Sequence, residues 1–310
     1  MPLIMRRDLE HLPPAKQREI ERVVQIIFEE FTDAMALATQ DWKRKAHIAK
    51  IILYGSFARG TWVDEPHTAK GYISDYDLLI IVSDKRITDR AAYWSKLEDR
   101  LNTELAFTRT LHTPVNFILH TMNEMNEGLA QGRYFFVDAV KDGVALYESQ
   151  EGGFHRPKPN TPEQALKLAQ EYFDEWYPSA IKRLNIAKFD ISQEYLKDAA
   201  FDLHQATERL YNCALLVLTS YSPHTHNIKL LRTHAEGLDR RFIDAWPRDE
   251  RHHRALFEKL KESYVKARYS KHYTIEPEAL DWLGERVEEL ARITHTVCAE
   301  RLAHLQAQVG

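Results

Sequence analysis

The stretch QEGGFHRPKPNTPEQ, residues 150–164, does more than any other to constrain the fold. Its two glycines and three prolines carry no apolar periodicity, so neither a helix nor a strand runs through it. On its amino-terminal side short apolar runs alternate with helical patterns. AKIILYGS, SDYDLLIIVSD, TPVNFILHT and VALYES read as four strands. Ile20, Val23, Val24, Ile27, Phe28 and Phe31 make one helical stripe, and Ala92, Trp94, Leu97, Leu101 and Leu105 a second, over DRAAYWSKLEDRLNTELAF. NEMNEGLAQGRYFFVDAVKDG reads as one further helix stopped at Gly143. Past residue 163 glycine becomes sparse and only long helical patterns remain, the last with Leu283, Val287, Leu290, Ile293, Val297, Leu302 and Leu305 on one face. The expectation is an α+β or α/β unit over residues 1–149, a linker over 150–162, and an all-α bundle over 163–310.

Composition narrows the function. Apolar residues at 44% can fill two cores, and a formal net charge of −4 supplies no global field to recruit nucleic acid. Cys213 and Cys298 each sit inside a helical pattern, which suggests buried free thiols rather than a disulfide or a metal pair. The opening MPLIMRRDLEHLPPAKQREIE lacks the unbroken apolar core of a signal peptide, and nowhere do eighteen apolar residues run together. A soluble cytoplasmic protein with no membrane contact is expected.

Chemistry is concentrated in LYGSFARG and SDYDLLIIV. A strand that ends in Gly55-Ser56 before a helix-compatible FARG offers a close backbone approach, free N–H groups and a hydroxyl to an anion. Arg59 adds positive charge. Asp75 and Asp77, two apart on a strand, leave the same face of the sheet. Carboxylates aimed at one point call for a cation, and an oxygen-only pair beside a phosphate site suits Mg²⁺. A Gly-Ser turn is common and an Asp-x-Asp is often a wet strand face. The combination is much rarer and reads as a phosphoryl- or nucleotidyl-transfer site.

YGSFARG followed by SDYDLLIIV resembles the minimal nucleotidyltransferases of the DNA polymerase β superfamily. The resemblance, over roughly residues 20–150, implies an α+β fold with a small mixed sheet, a triphosphate such as that of ATP held at Gly55 and Ser56, and metal on Asp75 and Asp77. It also implies a third carboxylate on a neighbouring strand. In PVNFILH that position is Asn116, which brings no charge and cannot act as a base. Glu104 and Asp138 are the candidate substitutes.

In the helical half, His204 and Glu208 share a helix face at i, i+4, which favours a hydrogen-bonded pair at an interface. His224 and His226 form a His-x-His in the loop PHTHN, weak as a metal signature. ESYVKARYSKHY ends a helix with Lys266, Arg268, Lys271 and His272 among Tyr264, Tyr269 and Tyr273. It reads equally as a basic helix end or as a charge and proton shuttle for an RNA phosphate. With DLHQATE and TSYSPHTHNIKLL, the segment resembles a HEPN domain over about residues 163–305. That resemblance implies Arg268 and His272 as the catalytic pair of a ribonuclease acting on RNA, and a homodimer. Only YSK separates the two residues, shorter than the four to six usual in the family. One residue fewer in a helix turns a side chain by about 100°.

The fused pair of domains resembles toxin–antitoxin modules, in which a transferase modifies a tyrosine near the HEPN motif. Tyr273 stands at the corresponding place. Three functions are expected to compete: a Mg²⁺- and ATP-dependent nucleotidyltransferase acting on protein, RNA or a small molecule; a nucleotide-binding sensor without turnover; and a HEPN ribonuclease regulated by the first half.

Overall fold

The computed structural model describes residues 5–36, 38–65, 72–149, 153–158, 160–223 and 225–309. The chain divides into two compact units, one of Met1–Asp64 with Ile73–Pro159 and one containing Asn160–Gly310.

The first unit opens with helix α1 (Pro14–Met35), started by a proline at its first position, where the missing N–H costs no hydrogen bond. Ile20, Val23, Ile26, Ile27 and Phe31 are buried, while Val24 and Phe28 pack at the margin of the core. After the single turn α2 (Asp41–Arg44) comes β1 (Ile48–Tyr54), then the short helix α3 (Gly55–Arg59). Asp64–Glu65 (β2) and Tyr72–Ile73 (β3) make a two-stranded ladder. β4 (Tyr76–Val82), β5 (Val115–Thr121) and β6 (Val144–Glu148) complete a four-stranded sheet in the order β5-β4-β1-β6. β1 runs antiparallel to both neighbours and β4 parallel to β5, so the sheet is small and mixed, as the resemblance implies. β1 and β4 are its central strands. Helices cover them, which is why IAKIILY and DLLIIV read as near-continuous apolar runs rather than alternating ones.

Two predicted helices are each divided. The pattern over residues 89–107 splits into α4 (Arg90–Tyr93), α5 (Ser95–Thr103) and a π-turn over Glu104–Thr108. The break falls at Trp94, whose indole is buried and donates to Ile87 O at 2.7 Å. Filling the core with that ring outweighs continuing the helix, and Ala92, on the predicted stripe, is exposed. The second splits into α6 (Met122–Ala130) and α7 (Tyr134–Lys141) at Gly132, which has φ 62°. A Thr121–Glu124 capping box starts α6.

Of the predicted linker 150–162, residues 150–152 and 159 lie outside the described residues, and 153–158 carry neither helix nor strand. The second unit begins at α8 (Pro162–Ser192), capped by a Thr161–Gln164 box. It continues with α9 (Leu196–Thr219), α10 (Ile228–Leu238), a 3₁₀ segment Arg240–Ala245, α11 (Arg251–Tyr269) and α12 (Pro277–Val309). Among the described residues this unit is all helical. α9 is buried on most of its circumference, because α8, α10, α11 and α12 all pack on it. Within that core Trp246 Nε1–H donates to the Tyr211 hydroxyl at 2.8 Å, both side chains being fully buried. Tyr211→Phe leaves the indole N–H without an acceptor. A loss of about 1–3 kcal/mol is expected, read by urea unfolding of the helical unit; an unchanged midpoint would show that another acceptor takes the N–H over.

Candidate functional site

The sheet register builds the site. Tyr54 pairs with Asp77 across β1 and β4, and Asp77 pairs with Asn116 across β4 and β5. Three neighbouring strands therefore bring the residue before Gly55, the second aspartate and Asn116 into one row. Asp75 immediately precedes β4 and lies on the same side as Asp77. Asn116 Nδ2 donates to Asp75 Oδ2 at 2.7 Å.

Gly55 is required here on two counts. Its φ is 75°, in the left-handed region, and a Cβ at this position would stand 2.6 Å from Asp77 Oδ2. The glycine is what lets the turn close against the aspartate. α3 is a single turn of five residues, so its dipole is small. An anion here would be held by the turn's N–H groups and the Ser56 hydroxyl rather than by a helix macrodipole. α3 itself is fixed from behind. Phe57 is buried, stacks on Trp62 at 5.4 Å and packs 4.4 Å from Tyr76. His11 Nε2 bonds Phe57 O at 2.8 Å and Arg6 donates to Ala58 O at 2.6 Å.

The electrostatics are those of a crowded carboxylate pair. Burial, and then the neighbouring charge of Asp75, push the Asp77 carboxyl well above its usual range; the Arg59 charge and an Asn116 hydrogen bond offset this in part. The positive charge of Arg59 is therefore close enough to act on Asp77. The two suggested substitutes for the third carboxylate are placed otherwise. Glu104 is buried and bound to Arg22 at 2.6 Å and to Thr110 at 2.7 Å, and Asp138 lies on the exposed side of α7. Among the described residues no group of three His, Cys, Asp or Glu side chains is arranged to hold a metal ion. Asp75 and Asp77 fit one divalent cation, since two carboxylates forced together, with the ionised form of Asp77 disfavoured by burial and by its neighbour, gain from a positive charge between them. Rotating the Asn116 amide would offer its carbonyl to the same ion.

In the helical unit, α11 ends at Tyr269, so Arg268 is in its last turn and His272 lies outside it. Both are exposed, and His272 N donates to Ser270 Oγ at 3.2 Å. Tyr273 does not fit the acceptor role that the resemblance implies: it is 4% exposed, and its hydroxyl donates to Lys259 O at 3.1 Å. Burial, together with the Glu262 charge, pushes that hydroxyl up to about 12, so it is a poor nucleophile as well as a hidden one. The i, i+4 pairing of His204 with Glu208 is also not the principal one. Nδ1 of His204 stands 3.9 Å from Glu208, whereas His226 reaches both Glu208 oxygens at 3.0 and 3.1 Å. His224 lies outside the described residues. Cys213 and Cys298 are buried and free. No helix among the described residues is long and apolar enough to cross a membrane.

A mixed sheet carrying Gly-Ser and Asp-x-Asp on neighbouring strands with a basic side chain acting on them, followed by a helical unit, defines a nucleotidyltransferase-like domain joined to a bundle. Comparison with known families bears this out. Residues 39–127 match the family model described as polymerase beta, nucleotidyltransferase, and residues 173–298 match the HEPN domain model. The chain thus joins a polymerase β-type nucleotidyltransferase domain to a HEPN domain. A crystal structure of a nucleotidyltransferase-like protein from Exiguobacterium sibiricum 255-15 is similar at 14% identity, with 90% of this chain and 77% of that one covered and a TM-score of 0.28. No curated protein matches the chain.

Proposed function

We propose that the amino-terminal unit transfers a nucleotide from ATP to a protein, RNA or small-molecule acceptor. Mg²⁺ would be held by Asp75 and Asp77. The helical unit would be the regulated partner in a toxin–antitoxin-like arrangement, a homodimer in the cytoplasm, where buried thiols stay reduced. The observation that carries this reading is the aspartate pair closed against Gly55, in register with Asn116. Bound there, the cation would neutralise phosphate charge and orient the triphosphate for in-line displacement. Gly55 and Ser56 would hold phosphate oxygens through N–H and hydroxyl donors, and Arg59 would balance their charge. The burial of Tyr273 argues against self-modification at that residue.

Asn116 favours a second reading, binding without turnover, because the row contains two carboxylates where three would supply a base. Incubation with α-labelled ATP and Mg²⁺ separates the two. Covalent label on an acceptor, abolished by chelation and reduced about tenfold in Ser56→Ala through loss of one charge-assisted hydrogen bond, supports transfer. Retention of ATP with no covalent label supports the sensor, and failure to bind ATP at all removes both.

A further inference from the structure

The turn that carries Gly55 and Ser56 is closed from behind by a segment that no motif marks. α3 has only five residues, and a single turn of helix is not stable by itself. Its last carbonyls also need donors from outside. Ser56 O accepts from Thr61 N at 2.9 Å, but the backbone gives Phe57 O only a long bond from Gly60 N at 3.3 Å. The chain before α1 completes the end. His11 Nε2 meets Phe57 O at 2.8 Å, and Arg6 Nη2 donates to Ala58 O at 2.6 Å. A carbonyl can only accept, so Nε2 is the His11 nitrogen that carries a proton here.

Both donors stand on a fixed base. Arg6 forms a bridge with Val144, and Ala145 N donates to Arg6 O at 2.8 Å, so its backbone is tied to β6 while its side chain reaches α3. Met5 and Leu12, at the two ends of the segment, are buried. Among the described residues no carboxylate is paired with Arg6, so its charge at the carbonyl end of α3 is not neutralised by a neighbour. The His11 ring lies against Gly60, the left-handed residue that ends α3: its φ is 74°, and a Cβ there would stand 3.7 Å from His11 Cδ2. Nδ1 of the same ring is buried without a hydrogen-bond partner. An unmet buried acceptor costs stability, so this histidine is poorly explained as a core residue; what it does well is hold one carbonyl.

We propose that Arg6 and His11 are positioning residues for the triphosphate: they clamp the carbonyl end of α3 so that the Gly55–Ser56 turn offers its N–H and hydroxyl donors to phosphate oxygens in one orientation. The proposal rests on the nucleotide reading of this site. Neither residue touches the ligand. Each removes freedom from a turn too short to hold its own shape, so ordering that turn no longer falls to the ligand when it binds. Donors on the carbonyl end also polarise the amides in line with them. The phosphates, and not the base, should feel the loss of the clamp, because the donors that it orients are those of the phosphate turn.

The test titrates the full chain calorimetrically, in Mg²⁺, with ATP and separately with AMP, which lacks the β- and γ-phosphates. His11→Ala and Arg6→Ala should each weaken ATP binding about fivefold to tenfold and leave AMP binding within about twofold, the size of one lost hydrogen bond felt at the phosphates. His11→Gln places an amide N–H where Nε2–H stands and should bind ATP as wild type does. His11→Asn, one bond shorter, should bind like His11→Ala. Without nucleotide, amide hydrogen exchange over residues 56–60 should quicken in His11→Ala while β1 and β4 keep their protection, which reads the clamp apart from any ligand. Wild-type ATP binding that both alanine variants leave unchanged overturns the clamp while the nucleotide reading stands; no ATP binding by wild type overturns both. Equal weakening of ATP and AMP, His11→Asn binding as tightly as His11→Gln, or exchange unchanged at residues 56–60 also overturns the proposal.

Discussion

Asp77→Asn is expected to make the protein more resistant to heat while removing nucleotide transfer. Burial and the adjacent Asp75 hold the Asp77 carboxyl well above its usual range, so its charged form is the unfavourable one in the folded chain. The sign follows from proton binding. Between the unfolded and folded pKa values the folded state holds the proton and the unfolded state does not, so stability declines as pH rises through that window. Asparagine is close in shape and never ionises. At neutral pH the variant should melt about 2–4 °C higher, the size of roughly 1 kcal/mol in a domain of this length, and should lack that decline. Transfer should fall by at least about a thousandfold, because a neutral amide neither binds the cation as tightly nor balances its charge. Calorimetric melting at several pH values and α-labelled ATP transfer test both halves. A lower melting point, or transfer within tenfold of wild type, would count against the assignment of Asp77.

The same strained pair shows what the sequence could and could not reveal. β1 and β4 were legible because both are covered by helices and so carry unbroken apolar runs. Gly-Ser and Asp-x-Asp were legible because their spacing is local. That Asn116 is the register partner of Asp77 depends on a parallel pairing between strands far apart in sequence, and only a resemblance could suggest it. The break at Trp94 was hidden because helical spacing continues through it; burying a large ring in the sheet's core outweighed a few helical hydrogen bonds. In the bundle, i, i+4 spacing pointed Glu208 at His204, whereas the observed partner, His226, comes from a loop whose path no periodicity encodes. The burial of Tyr273 is likewise tertiary: a tyrosine among Lys and His at a helix end looks exposed until its hydroxyl is seen on Lys259 O.

Glu19 carries the largest expected stability effect, although no motif or periodicity marks it out. Its carboxylate, on α1, is buried and accepts from the backbone N–H groups of His112 and Thr113, the latter at 2.8 Å. It also accepts from the Thr113 hydroxyl at 3.1 Å and from the Tyr76 hydroxyl at 2.9 Å, with Lys16 3.6 Å away. One carboxylate thus ties α1 to the segment entering β5 and to the residue between the two site aspartates. Burial acts to raise its pKa, but the two N–H groups, Tyr76 and Lys16 outweigh it and hold the group below the usual range. Its contribution is therefore full above the unfolded value, about 4.3, and is lost as pH falls through the folded value. Glu19→Ala takes the acceptor from the buried Thr113 N–H, the part-buried His112 N–H and the Tyr76 phenol together, and removes the ion pair with Lys16. A loss of about 3–5 kcal/mol is expected at neutral pH, against about 1–2 for Glu19→Gln, which keeps one acceptor oxygen. Equilibrium urea unfolding, resolved for the amino-terminal unit, reads both. Because Tyr76 lies between Asp75 and Asp77, the folded fraction of Glu19→Ala should also transfer nucleotide more slowly than Glu19→Gln. A cost under 1 kcal/mol, or equal transfer by the two variants, would mean that the strand holds the aspartates in place without this tether.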